Sequence, residues 1–374
     1  MPTVLLVANR TDDAQYSMLG FAGVLARELP GLGWSPTVIA PKTRLARVGR
    51  PHQGLGKWLA YVDKYVLFPR DLRRAAARFD LVHILDQGNG MYVPSVKTRP
   101  HLITLHDLLA TRAALGELPV WKLSRTGIKY QQLILEGFRQ SLWAACASEA
   151  TLHDAMRLLA PTTNLRLVRN GFYHPCIPRT QAEADVILAG RGFDASTQFL
   201  LHVGGNQPTK NRIACLPIFA ALRKQGFDPS IRLVFAGKPL PEAVQALKDE
   251  LGLNEAVTEW ADASRDELDA LYSRAEALVF PSHHEGFGLP IIEAQACACP
   301  VFTTGRPPMN EVGGDAARYF DPSDPDGAAS QILHFWSERE TMRIAGKANI
   351  RRYDTAEMVS GYAALYSEIL GAAR

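Results

Sequence analysis

Residues 278–304, LVFPSHHEGFGLPIIEAQACACPVFTT, decide how the chain is read. The apolar run Leu278-Val279-Phe280 stops at Pro281-Ser282, and a loop with Glu285-Gly286-Phe287-Gly288-Leu289-Pro290 follows. A short helical pattern then carries Glu293, and Pro300-Val301-Phe302-Thr303-Thr304 reads as a second strand. Pro290 suits the first helical position, where a missing N–H costs nothing. The amides of Gly288 and Leu289 then lack partners within the helix and face outward. Such a helix start carries about half a positive charge and attracts phosphate. Glycines at 286 and 288 let the backbone turn sharply and come close to a ligand. Glu293, one turn in, is an ionised acceptor for a diol. The stretch therefore points to an anionic, hydroxylated ligand, or more plainly to a loop-to-helix junction with a favourable acid in its first turn.

The 374 residues exceed one typical domain and suggest two. Hydrophobic residues at 47% suffice for two cores, and 21% charged residues is ordinary for a soluble protein. No apolar run is long enough to span a bilayer. The opening MPTVLLVANR is too short an apolar run for a leader and reads as a first buried strand. Five cysteines (146, 176, 215, 297 and 299) form no CxxC pair, so a reducing, cytoplasmic setting is expected. Charge is uneven. Residues 1–175 hold 22 Lys and Arg against 12 Asp and Glu, while the remainder holds 19 against 26. Between Lys42 and Arg78, Lys57, Lys64, Arg70, Arg73, Arg74 and Arg78 interleave with Trp58, Tyr61, Tyr65, Leu67 and Phe68. That is either a basic amphipathic surface for an anionic membrane or a core-facing helix with a solvated basic face. No helix-turn-helix, zinc or single-strand-binding signature accompanies it, so nucleic acid is not expected as a partner.

Short apolar runs alternate with helical patterns throughout. They fall at 4–8, 37–40, 81–85, 102–105, 144–147 and 165–168, then at 199–203, 232–236, 257–260, 277–280, 301–304 and 318–320. Strands separated by helices mean parallel sheets covered on both faces. With Asn170-Gly171, Pro175, Pro178 and Gly190 marking a linker near 171–195, two doubly wound α/β domains are expected, 1–175 and 190–354. The last helix, about Thr355 to Ala372, is a candidate to cross back onto the first domain.

At this point the chain resembles the retaining glycosyltransferases of family 4. Glu285 and Glu293 match that family's pair of glutamates separated by seven residues, and Glu311-Val312-Gly313-Gly314-Asp315 followed by Asp321-Pro322 is similar to its next segment. Upstream, Leu201-His202-Val203-Gly204-Gly205 with Lys210-Asn211-Arg212 resembles its strand and basic diphosphate loop. Thr104-Leu105-His106-Asp107, Ala147-Ser148-Glu149 and Val168-Arg169-Asn170-Gly171 look like first-domain landmarks. The resemblance implies the GT-B fold, two Rossmann-like doubly wound domains facing across a cleft, the first for acceptor and the second for donor. It also implies transfer of a sugar from a nucleotide-diphosphate-sugar, UDP- or GDP-linked, to a glycan or lipid-linked acceptor. The location would be cytoplasmic, with peripheral contact at the inner face of the membrane through the basic half.

By position, Glu293 would hold ribose hydroxyls and Glu285 hydroxyls of the transferred sugar. Gly205 and the amides of Phe287, Gly288 and Leu289 would face sugar or phosphate, and Lys210 and Arg212 would pair with the diphosphate. His106 would lie near the reacting centre. Catalysis would thus fall to His106, Glu285 and Lys210, with no metal or other cofactor. Asp324-Pro325-Asp326 reads as a turn before a helix rather than a metal motif, and adjacent His283 and His284 point in different directions. Two departures from the family pattern stand out. Thr209 occupies a place often basic, and Asn9-Arg10-Thr11-Asp12-Asp13 replaces a glycine-rich turn. A GT-B epimerase or phosphorylase, and a catalytically silent partner subunit, are the rival readings.

Overall fold

The structure, a computed structural model, describes residues 1–10, 16–45, 59–60 and 62–373. The chain divides into two compact units, Met1–His174 with Thr355–Arg374, and Pro175–Asp354. Each is built on a six-stranded, wholly parallel sheet. In the first unit the strands are β1 (Thr3–Val7), β2 (Ser35–Ile39), β3 (Leu81–Ile84), β4 (His101–Leu105), β5 (Trp143–Cys146) and β6 (Asn164–Leu167). Their order is β2-β1-β3-β4-β5-β6. The second unit has β7 (Phe199–Gly204), β8 (Arg232–Gly237), β9 (Val257–Ala261), β10 (Ala277–Phe280), β11 (Val301–Thr304) and β12 (Ala317–Phe320), in the order β12-β11-β10-β7-β8-β9. Every apolar run named from the sequence lies in one of these strands, with ends displaced by at most two residues.

The burial pattern explains why the runs were legible. Interior strands β3, β4, β10 and β11 are buried at every position, so they read as unbroken apolar runs. The edge strand β2 is largely exposed and shows a weaker signal. Helices cover both faces of each sheet. In the second unit Phe219 and Leu222 pack with Phe235, Val279, Phe302 and Ile332, and in the first Phe68, Leu72, Tyr92 and Phe138 pack with Leu5, Val7 and Ile103. The sheet orders reverse direction at β1/β3 and at β7/β10. Connections leave to opposite faces there, and the carboxyl ends of those strands are where an open α/β sheet holds ligands.

The helix Thr355–Ala372 belongs to the first unit and is anchored by polar contacts as well as apolar ones. The Tyr366 hydroxyl lies 2.6 Å from His83 Nδ1, Thr104 lies 2.7 Å from His83 Nε2, and the Tyr362 hydroxyl is 3.0 Å from Thr104. All four side chains are buried. Thr355 Oγ1 donates to the Phe172 carbonyl at 3.0 Å, where the helix begins. In the basic segment, the helix Phe68–Ala76 buries Phe68, Leu72 and Ala76 at four-residue spacing. Arg70, Arg73 and Arg74, with Arg78 just beyond, are exposed. Lys57, Trp58 and Tyr61 lie outside the described residues, as do Thr11, Asp12 and Asp13.

Replacing Tyr366 by Phe leaves His83 Nδ1 without its buried partner and is expected to lower the unfolding free energy by about 1–3 kcal/mol, read by urea denaturation. Burial also holds His83 neutral, well below the usual imidazole range. Only the unfolded chain then gains a proton as pH falls below about 6.5. Stability is full above that pH and declines below it, by about 1.4 kcal/mol per pH unit for each such histidine. A denaturation midpoint that stays flat from pH 7 to pH 5 contradicts this.

Candidate functional site

The second unit gathers its chemistry where β7 and β10 run side by side. The loop after β7 carries Gly205, Lys210 and Arg212, and the loop after β10 carries Ser282, Glu285, Phe287 and Gly288. Backbone bonds tie the two loops together, because the Thr209 carbonyl accepts from the amides of His283 at 2.8 Å and His284 at 3.3 Å. Asn211, in the left-handed region at φ 49°, donates its side-chain amide to the Pro281 carbonyl at 3.2 Å. Thr209 is buried, and its carbonyl contributes to this tie.

Across that tie, Lys210 Nζ donates to both oxygens of Glu285, at 3.0 and 3.1 Å. Ser282 Oγ donates to Glu285 Oε1 at 2.8 Å. The lysine and glutamate side chains are 19% and 11% exposed, so the pair is sheltered yet open to a ligand. The helix Leu289–Ala296 follows, with Gly288 as its cap at φ 101°. Pro290 occupies its second position rather than the first, which is equally tolerant because the first-turn N–H groups have no partner within the helix. No side chain caps this helix start. Pro290 has no N–H and the Ile291 amide bonds to the Gly288 carbonyl at 2.9 Å, which leaves the Gly288 and Leu289 amides and the end of the dipole as the groups to meet an anion. Phe287 is buried, with its ring 5.4 Å from that of Tyr353, which fixes the backbone it contributes.

Glu293 sits in the second turn of this helix. Its Oε1 accepts from Arg265 Nη1 at 2.9 Å and its Oε2 from the Tyr272 hydroxyl at 3.0 Å, with the side chain still 19% exposed. Arg212 is a different matter. Expected as a diphosphate cation, it is 4% exposed and pulled below the ordinary arginine range by burial. Its Nη1 donates to Asn206 Oδ1 at 2.5 Å and to the Lys238 carbonyl at 2.8 Å, and its guanidinium lies 5.4 Å from the Phe235 ring centre. In this arrangement Arg212 ties the loop after β7 to the end of β8. Lys210 is the cation of the pair that stands beside the uncapped helix start.

His106 directly follows β4 of the first unit. Its Nε2 is 2.9 Å from the Leu85 carbonyl and its Nδ1 3.2 Å from the Tyr173 hydroxyl, which assigns the proton to Nε2. The ring is buried, and burial holds it below the usual imidazole range against the opposing charge of Asp86. Both nitrogens are engaged within the unit, so His106 meets a ligand only by exchanging one of them. Nearby, Asp86, Asn9 and Asn89 form a buried polar cluster: Asn9 Nδ2 donates to Asp86, and Asn89 Nδ2 donates to Asn9 Oδ1 at 2.6 Å. This cluster lies after β1 and β3, at that sheet's reversal point.

Among the described residues no three His, Cys, Asp or Glu side chains converge in a way that could hold a metal ion. Asp324 caps the helix Pro325–His334 by accepting from the Gly327 amide at 3.0 Å, and His283 Nδ1 accepts from Arg306 at 3.1 Å. Sequence reasoning missed Ser282, Arg265 and Tyr272. The only signal for Arg265 was its place inside the Ser264-x-x-Glu267 capping box, directly after Ser264, which says nothing of its reach to Glu293.

Known proteins share this architecture. The chain superposes along its whole length on a sucrose-phosphate synthase from Thermosynechococcus elongatus, with a TM-score of 0.76 at 18% identity and full coverage of both chains. It also superposes on the Anabaena protein HepE in complex with UDP and glucose, with a TM-score of 0.74 at 15% identity over 98% of this chain and 100% of that one. The fold is GT-B. Residues 185–352 match the family described as glycosyl transferases group 1, and the chain is related to that family. A D-inositol 3-phosphate glycosyltransferase of Segniliparus rotundus is 30% identical over 166 residues, 42% of this chain and 36% of that protein. An O-antigen chain mannosyltransferase B of Escherichia coli is 26% identical over 308 residues, 79% and 78% of the two chains. The chain thus spans about a third of the first relative and more than three quarters of the second.

Substituting Ala for Gly288 places a side chain at φ 101°, with its Cβ 3.3 Å from Ile291 Cδ1. It should cost about 1–3 kcal/mol of stability, measured by denaturant unfolding. An unchanged midpoint would show that the loop does not need this turn.

Proposed function

We propose that this chain is a retaining glycosyltransferase that moves a sugar from a UDP- or GDP-linked donor to a glycan or lipid-linked acceptor without a metal ion. The observation that carries the reading is the Lys210–Glu285 pair set beside the uncapped start of the helix Leu289–Ala296, at the β7/β10 reversal point. Breaking the bond between an anomeric carbon and a diphosphate oxygen leaves positive charge on the sugar and negative charge on the leaving group. A fixed cation and helix-start amides stabilise that anion as it forms. In this reading Lys210 passes from Glu285 to the diphosphate, and Glu285 is released to accept hydroxyls of the sugar. Phe287, Gly288 and Leu289 offer backbone amides, and Gly205 lets the loop after β7 lie close to the ligand. Glu293 accepts the ribose hydroxyls, and Arg212 braces the loop.

The donor classes follow the relatives. HepE has been crystallised with UDP-glucose, and a relative from Xanthomonas oryzae is described as a GDP-mannose-dependent α-mannosyltransferase. We assign acceptor binding to the first unit, with neutral His106 as a hydrogen-bonding group for the reacting sugar, and donor binding to the second. The exposed arginines 70, 73, 74 and 78 support peripheral attraction to an anionic membrane surface. A cytoplasmic location on the inner leaflet fits both that charge and the donor chemistry.

A screen of UDP-, GDP- and ADP-sugars should give a thermal shift with at least one, and turnover should persist in EDTA. No shift with any of these or with the free diphosphates overturns the reading. Lys210→Ala should lower kcat/KM by roughly 100- to 1,000-fold, the range for losing one preplaced donor to a developing oxyanion. In liposome flotation the protein should rise with vesicles containing anionic lipid and stay behind with neutral ones. Equal behaviour in both removes the electrostatic docking.

A further inference from the structure

Glu293 is held at both oxygens, and one of its two holders is charged. Arg265 sits between two acids. Its Nη1 donates to Glu293 Oε1 at 2.9 Å, and its Nη2 donates to Asp269 Oδ1 at 2.7 Å and to Cys176 Sγ at 3.0 Å. Asp269 is buried, and its second oxygen accepts from the Ile177 amide at 3.2 Å. The Tyr272 hydroxyl, itself buried, closes the arrangement at Glu293 Oε2.

This geometry has two consequences for the carboxylate. With a donor on each oxygen, it cannot turn about its terminal bond without breaking a hydrogen bond. Each oxygen also keeps a second lone pair, because a carboxylate has about four acceptor sites and only two are used. The side chain is partly exposed, so those lone pairs are within reach of a ligand. A carboxylate can accept from both hydroxyls of a vicinal diol only while it is ionised and correctly turned. Arg265 fixes the turn of the carboxylate, since its Nη1 donates to Glu293 while its Nη2 balances the charge of Asp269. Burial works against the guanidinium, but the carboxylates of Glu293 and Asp269 outweigh it and keep Arg265 firmly cationic.

We propose that Arg265 is the positioning residue that fixes the Glu293 carboxylate for a ribose diol, and so sets a preference for ribonucleoside over 2′-deoxyribonucleoside diphosphates. The inference rests on the role given to Glu293 under the proposed function. Arg265 acts through Glu293 and leaves the diphosphate contacts of Lys210 and the helix start untouched. Its loss should therefore change recognition of the sugar hydroxyls and spare recognition of phosphate.

The test is titration calorimetry of the full chain with UDP, GDP and ADP, with their 2′-deoxy counterparts, and with inorganic pyrophosphate. The wild type should bind its preferred diphosphate about tenfold or more tightly than the 2′-deoxy form, the loss expected for one charge-assisted hydrogen bond. In Arg265→Met that ratio should fall to within roughly threefold, while pyrophosphate affinity stays within about twofold of wild type, because phosphate is held by other groups. Arg265→Lys keeps the charge without the planar fork. It should discriminate less than wild type, and it serves if the methionine variant does not fold. Tyr272→Phe removes the uncharged holder and should retain more of the preference than Arg265→Met. Wild-type discrimination in Arg265→Met, or in the lysine variant if that alone folds, overturns this inference and leaves the role of Glu293 standing. A wild type indifferent to the 2′-hydroxyl overturns that role and this inference together.

Discussion

The second unit depends on the parallel pairing of β10 with β7 and on the carbonyl of Thr209 that joins the loops beyond them. Without that tie a lysine on one loop and a glutamate on the other would be two solvated charges, whose attraction across water is worth little. Held together, they form a sheltered pair beside a helix start that no side chain caps. A pair of this kind is stable without a ligand and remains able to exchange its partner when an anion arrives. Arg212, in the same loop, is buried in the brace that makes the geometry fixed.

The two sheets show how one topology yields two different polar sites. At the β7/β10 reversal the side chains of Lys210 and Glu285 are paired and partly exposed. At the β1/β3 reversal they are buried and engaged with one another, as Asn9, Asp86, Asn89 and His106 are. Buried imidazoles recur in both sheets: His202 in β7 donates from Nδ1 to the Val279 carbonyl at 3.0 Å and is pushed down to about 3 by burial. These rings act as neutral hydrogen-bonding pieces of the sheet. Their cost is a sensitivity to acid.

Much of the fold was legible in the sequence because parallel strands buried on both faces appear as short apolar runs, and helices between them fix the class. Glu285, Glu293 and Lys210 were singled out by their match to a family pattern, and the structure brings Lys210 and Glu285 into one pair while Glu293 is held apart by Arg265 and Tyr272. The burial of Arg212 was not legible, because a cation in a basic-looking loop gives no sign of it until Phe235, Asn206 and Lys238 are seen around it. Arg265 and Tyr272 lie 28 and 21 residues before Glu293, on a helix whose approach to it only tertiary packing decides. The basic segment showed its charge but not its face, since Phe68, Leu72 and Ala76 turn inward and leave the arginines outside. Pro290 entered one position later than expected, a difference the first turn of a helix absorbs without loss.

A crystal structure of the chain with the nucleoside diphosphate it binds best tests the central claim most directly. Phosphate oxygens should lie at hydrogen-bond distance, about 2.7–3.2 Å, from Lys210 Nζ and from the amides at the Gly288–Leu289 helix start, with the ribose hydroxyls on Glu293. A diphosphate bound elsewhere, with Lys210 still closed on Glu285, would contradict the account.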